Sequence, residues 1–269
     1  MYRTCNLSVE GKADPMNSIL GLHTSNTIRL MNTASPRSLP VKRIATPLPI
    51  KKSRLVFVTE PAGLAVEQYK ILHRRLCNQH PEGGVVLVTS PSPGEGKTLT
   101  SINLAWCMAE AGRHTCLVDM DFRAPGVTLT LGCSNEEDGL EEVLTGRRTV
   151  HQSMRQVGDR SLYVLGINKA LASLGGLLSS DSIVPLITEL RAMFHWVILD
   201  FAPVIPMADV GEVLPHVDGA IIVVRSGKTD KSLIAPSLEI LGSKIWGVIL
   251  NDSVINGSAY YGYYGMKKG

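Results

Sequence analysis

Residues 84–98 read Gly-Val-Val-Leu-Val-Thr-Ser-Pro-Ser-Pro-Gly-Glu-Gly-Lys-Thr. An apolar, β-branched run passes directly into a glycine-punctuated loop, and the loop ends in Gly96-Lys97-Thr98. Such a strand–loop junction predicts a cradle for a polyphosphate. Gly94 and Gly96 carry no Cβ, so the backbone can turn through positive φ and aim successive N–H groups at phosphate oxygens. Lys97 supplies a mobile positive charge to the β- and γ-phosphates, and the Thr98 hydroxyl can ligate Mg²⁺. The following TLTSINLAWCMAEAG has a helical pattern, and its N-terminus adds a favourable dipole to the anion site. The loop departs from G-x-x-x-x-G-K-[ST] at its first position, which is Pro91.

Two more apolar runs end in acids. Thr115-Cys116-Leu117-Val118 leads into Asp119-Met120-Asp121-Phe122-Arg123, and Trp196-Val197-Ile198-Leu199 leads into Asp200-Phe201-Ala202-Pro203. Each aspartate alone reads as a turn or a helix cap. In a parallel sheet, however, ligands bind at the carboxyl ends of the strands, so all three segments are expected to meet there. A carboxylate in that crevice can hold a metal-bound water or accept a proton.

The 269 residues, 44% hydrophobic, suffice for one large core or for a modest core with a tail. The net charge of +3 is unevenly spread: residues 1–53 carry +6 and the remainder −3. The basic excess therefore belongs to the N-terminal segment, and nucleic acid is not an expected partner. The five cysteines, Cys5, Cys77, Cys107, Cys116 and Cys133, show no C-x-x-C spacing, which argues against a zinc site and for a reducing compartment. No apolar stretch approaches the ~18–20 residues that span a bilayer, and the N-terminus lacks a secretory apolar region. A cytoplasmic protein is expected, with any membrane residence borrowed from a partner.

Residues 1–53, rich in Ser, Thr, Asn and Pro, are expected to form a disordered basic arm, with order beginning near Arg54. Residues 64–78 place Leu64, Tyr69, Leu72 and Leu76 near one helical face, predicting an amphipathic helix beside the first sheet strand. Strands are predicted at 84–89, 115–119, 162–165, 196–200, 219–224 and 246–250. Further helices are predicted near 98–112, 138–146, 182–194 and 230–241. This alternation predicts a single α/β domain over 54–256, with a mostly parallel, doubly wound sheet of the P-loop NTPase type. The remaining segment, 257–269, is glycine-spaced, and four of the chain's seven tyrosines lie in the last ten residues. It is expected to be a flexible tail that either presents its rings or folds onto the body.

From about Arg54 onward the chain resembles the bacterial tyrosine kinases of capsule and exopolysaccharide systems. The resemblance is carried by SPSPGEGKT, LVDMDFR, VILDFAP, the segment Gly139–Gly146 and the terminal tyrosines, in the family's order. It implies the P-loop fold of the MinD/ParA-like branch and an ATP-dependent tyrosine autokinase that regulates polysaccharide polymerisation and export. It also implies ATP contacts from Pro93, Gly94, Glu95, Gly96, Lys97, Thr98 and Leu99, with Asn251 reading the adenine edge. Alone, Asn251 reads as a strand-ending turn. By the same resemblance Lys97 clamps the β- and γ-phosphates, and Thr98, Asp200 and Asp121 surround Mg²⁺. Asp119 accepts the phenolic proton, and since the family's acceptors are tyrosines of a neighbouring subunit's tail, Tyr260, Tyr261, Tyr263 and Tyr264 are the candidate phosphate acceptors. Family members without membrane helices generally need the cytoplasmic segment of a membrane chain-length regulator, a polysaccharide co-polymerase, for activation.

Two departures from the family pattern stand out. Its E-x-x-R-x-x-R motif, linked to ring assembly, corresponds here to Glu67, Lys70 and His73, so the planar guanidinium forks are gone and the homo-oligomer is an open question. Phe201 stands where relatives carry a hydroxyl, which is expected to alter the cleft. Two alternative functions compete. A positioning ATPase of the MinD/ParA type is disfavoured by Ser92, where those proteins place a second lysine. A nucleotide-binding regulatory module of a polysaccharide export complex is disfavoured by the retained Lys97, Asp119, Asp121 and Asp200.

Overall fold

The computed structural model describes residues 41–45, 55–132, 139–171, 176–206 and 209–253. Their strands are β1 (Lys42–Ile44), β2 (Gly84–Thr89), β3 (Thr115–Met120), β4 (Arg155–Val157), β5 (Leu162–Leu165), β6 (Trp196–Phe201), β7 (Gly219–Arg225) and β8 (Ile245–Asn251). They form an eight-stranded sheet in the order β1-β4-β5-β3-β6-β2-β7-β8, parallel at every pairing except β4 with β5. The helices are α1 (Val56–Thr59), α2 (Leu64–Gln79), α3 (Lys97–Glu110), α4 (Val127–Leu131), α5 (Leu140–Leu144), α6 (Val150–Ser153), α7 (Ser180–Met193), α8 (Val210–Val213) and α9 (Lys231–Leu241).

The central strands are apolar on both faces because both faces are covered. Along β6, Val197, Leu199 and Phe201 enter the core shared with α5, α7 and α8, whereas Trp196 and Ile198 enter the core shared with α2 and α3. The same two-residue alternation divides β2 into Val85 and Leu87 on one side and Val86 and Val88 on the other. Phe201 is therefore a fully buried core residue on the face opposite Asp200. It does not enter the cleft, and the expectation that it alters the cleft is corrected.

The six predicted strands are present to within a residue at each end, and the predicted helices to within two. Three features differ. Lys42–Ile44, inside the expected disordered arm, forms the edge strand β1 beside β4, and Arg43 pairs with Asp159 at 2.8 Å. Strand β4 itself goes unpredicted, since Arg-Gln-Val is too short and too polar to show a period. Finally, α2 packs on α1 and α3 rather than beside β2. From Thr100 to Ala109 every residue of α3 is buried, so this helix lies between the sheet and α2 and is covered on both sides. Residues 1–40, 46–54 and the tyrosine-bearing segment lie outside the described residues.

Candidate nucleotide and phosphotransfer site

The phosphate loop leaves β2 at Thr89, and α3 begins at Lys97. Gly94 and Gly96 take φ of 82° and 93°, the left-handed conformations that the sequence requires of them. Lys97 is mostly buried, and its Nζ lies 2.6 Å from Oδ2 of Asp121. Burial would lower the lysine pKa, but Asp200, Asp121 and Asp119 together raise it, so the ammonium charge is held firmly.

The carboxylates gather because β3, β6 and β2 are neighbours. Asp119 and Asp200 occupy the same register on adjacent parallel strands, and Asp200 is also in register with Val88 just before the phosphate loop. Both point to the α3 side of the sheet. Asp200 is fully buried; Oδ1 accepts from the Ser101 hydroxyl at 3.0 Å, while Oδ2 has no hydrogen-bond partner among the described residues. Burial pushes its pKa up to about 6, opposed by the Lys97 charge and the nearby Thr98 and Ser101 hydroxyls. Asp119 is raised to about 7, first by burial and then by the Asp200 charge.

Asp119 also shapes the following loop. Its Oδ1 accepts from the Asp121 amide at 3.2 Å, and its Oδ2 from the Gly126 and Val127 amides at 3.1 and 3.0 Å. Asp121 accepts from the Ala124 amide through Oδ1, leaving Oδ2 for Lys97. At Gly126 a Cβ would stand 3.1 Å from the Thr98 methyl, so the glycine lets this loop lie against the start of α3.

Behind the phosphate loop is a second polar cluster. Glu95, only 3% exposed, accepts from the Ser92 hydroxyl at 2.5 Å, from the Arg225 amide at 2.7 Å and from the Thr229 hydroxyl. Asn251 donates from Nδ2 to the Glu95 carbonyl at 2.8 Å. The side chain expected at an adenine edge thus lies against the phosphate loop here.

Thus Lys97, Asp119, Asp121, Asp200, Ser101 and the start of α3 form one cluster, with Glu95 and Asn251 behind it. The four candidate tyrosines lie outside the described residues. Sequence reasoning missed Ser101, Arg225 and Thr229. Arg225 carried a usable signal: like Asp119 and Asp200, it is a charge at the carboxyl end of an apolar strand. Ser101 carried none beyond lying one helical turn after Lys97.

Comparison with known proteins finds relatives over most of the chain. The family profile described as an AAA domain matches residues 85–230. The tyrosine-protein kinase YwqD of Bacillus subtilis is 33% identical over 219 residues, covering 79% of this chain and 92% of that protein. The tyrosine-protein kinase CpsD of Streptococcus pneumoniae is 30% identical over 81% of this chain and 96% of that protein. Among solved structures, the kinase domain of the Escherichia coli tyrosine kinase ETK superimposes with a TM-score of 0.70 at 24% identity, over 80% of this chain and 90% of that one. The cell division ATPase MinD of Pyrococcus furiosus gives 0.53 at 20% identity, over 68% and 80% respectively, which marks the wider fold.

Proposed function

Because the chain belongs to the bacterial tyrosine-kinase family of capsule and exopolysaccharide biosynthesis, we propose that its buried acid cluster and phosphate loop transfer the γ-phosphoryl group of ATP to tyrosines of its own C-terminal tail. The protein is a nucleotide-binding tyrosine autokinase. The observation that carries the site assignment is the side-by-side placement of Asp119 and Asp200 on adjacent strands, facing the helix that begins with Lys97.

Phosphoryl transfer depends mainly on positioning and charge neutralisation. The backbone amides from Gly94 to Thr98 receive the phosphates, and Lys97 turns from Asp121 to the β- and γ-oxygens. Thr98 and Asp200, with Asp121 nearby, are the residues that would hold Mg²⁺; the unsatisfied Oδ2 of Asp200 suits a cation or its water. When bound, the metal supplies positive charge against the phosphate oxygens. Asp119 accepts the phenolic proton. A tyrosine pKa near 10 makes such a base useful at neutral pH. Tyr260, Tyr261, Tyr263 and Tyr264 are the acceptors, and the glycines between them let several rings enter one cleft in turn.

No helix among the described residues is long and apolar enough to cross a membrane. The cytoplasmic segment of a membrane chain-length regulator is the activating partner in this reading, and it recruits the kinase to the inner face of the membrane. Purified protein incubated with labelled ATP and Mg²⁺ should gain phosphotyrosine in residues 260–264, and a regulator fragment should stimulate labelling. Lys97→Met should fold yet lose labelling by at least about 10²-fold. Equal labelling of that variant would refute the phosphate clamp, and ATP hydrolysis without phosphotyrosine would favour a positioning ATPase.

A further inference from the structure

Helix α3 begins at the phosphate loop with Lys97 and ends at Glu110, about 20 Å away at the rise of an α-helix. Beside that far end, α1, α2 and α3 border a cavity of about 420 Å³. Its floor is apolar, formed by the buried Phe57 and Cys107. Its rim is basic, with Lys70, His73 and Arg74 from α2 and Arg113 from just after α3. Lys70 already has a partner, Glu67 on its own helix at 2.8 Å. Glu110 also lines the wall, and its Oε1 accepts from the Trp106 indole at 2.9 Å. The guanidiniums of Arg74 and Arg113 have no hydrogen bond or ion pair among the described residues. Both lie close to the His73 ring: burial, and then the Arg113 and Arg74 charges, hold its imidazole below the ordinary histidine pKa.

A single exposed arginine is solvated by water and needs no partner. Two arginines from separate elements that converge on one concavity raise the positive potential there, where the low-dielectric walls focus the field. Attraction to the negative end of α3 accounts for Arg113 but not for Arg74, which belongs to α2. We propose that this cavity binds a small phosphate ester, its phosphate between the Arg74 and Arg113 guanidiniums and its carbon body against Phe57 and Cys107. Planar guanidinium forks match phosphate oxygens with paired N–H bonds. The volume suits a compound the size of a monosaccharide phosphate. This second anion site lies at the opposite end of α3 from the phosphate loop, and it does not depend on which tyrosine accepts the phosphoryl group.

Cys77 provides a local reporter, since it lines the cavity half-buried, with Sγ 3.2 Å from His73 Nε2. Full-length protein saturated with ADP and Mg²⁺ is titrated with glucose 1-phosphate, and the rate at which N-ethylmaleimide alkylates Cys77 is read by peptide mass spectrometry. Alkylation should slow saturably, with a half-effect below about 1 mM. Arg74→Ala and Arg113→Ala should each raise that concentration about tenfold or more. Arg75→Ala, which removes an exposed arginine that does not line the cavity, should change it by less than about twofold. Equal protection by glucose, no protection at about 10 mM ester, or an equal effect of all three arginine variants would overturn the site.

Discussion

At Asp200 the fold buries a carboxylate that water would otherwise stabilise, and it leaves one oxygen without a hydrogen bond. The free energy spent on that burial keeps an acceptor ready for a cation. The sign of its pH dependence follows from the raised pKa values of about 6 for Asp200 and about 7 for Asp119. Between pH ~4 and ~7 the folded state binds more protons than the unfolded chain, so nucleotide-free stability falls as pH rises through that window. Asp200→Asn mimics the neutral acid. It should abolish tail labelling yet stabilise the nucleotide-free protein at pH 8 by about 1–3 kcal/mol, with about half that gain at pH 5. Thermal unfolding at the two pH values checks this, and an equal gain at both would show that Asp200 is not the titrating group.

The phosphate loop is the element most fully written in local sequence, because its conformation depends on residues that lack a Cβ. At Gly96 the positive φ coincides with crowding: a Cβ would stand 2.2 Å from Nδ2 of Asn251. Gly96→Ala therefore combines backbone strain with displacement of the side chain bracing Glu95. It should weaken binding of a fluorescent ATP analogue by about tenfold or more while the sheet remains folded, as far-ultraviolet circular dichroism can report. Undiminished affinity would show that the loop remodels on binding. Other elements were legible to different degrees. The buried strands β2, β3, β6 and β7 and the helices α3 and α7 announced themselves by length and period. By contrast β1 and β4, three residues each, offer no period; β4 forms because β5 presents an edge to pair with, and β1 adds to β4 in turn.

At the level of the whole molecule, the start of the folded domain is set by the sheet. A form truncated to begin at Arg54 would look complete from sequence but would remove β1, leaving β4 unpaired on one side and uncovering the apolar contacts of Val41 and Ile44. That form should unfold at a lower temperature than one beginning at Ser38, by an amount equivalent to about 1–2 kcal/mol, with nucleotide affinity unchanged because β4 and β5 separate β1 from β3, the nearest strand that carries the site. Identical melting temperatures would show that β1 contributes nothing.

The sequence by itself determined the ligand class, the alternating parallel architecture and the identity of the charged groups at the strand ends, because glycine conformation and burial period are local properties of the chain. Only the tertiary structure decided which of those groups meet. Strand order makes β3, β6 and β2 neighbours, register sets Asp119 beside Asp200, and alternation turns Phe201 into the core. Tertiary packing also directs Asn251 and Arg225 to Glu95, more than a hundred residues away in the chain, a contact that no local pattern encodes.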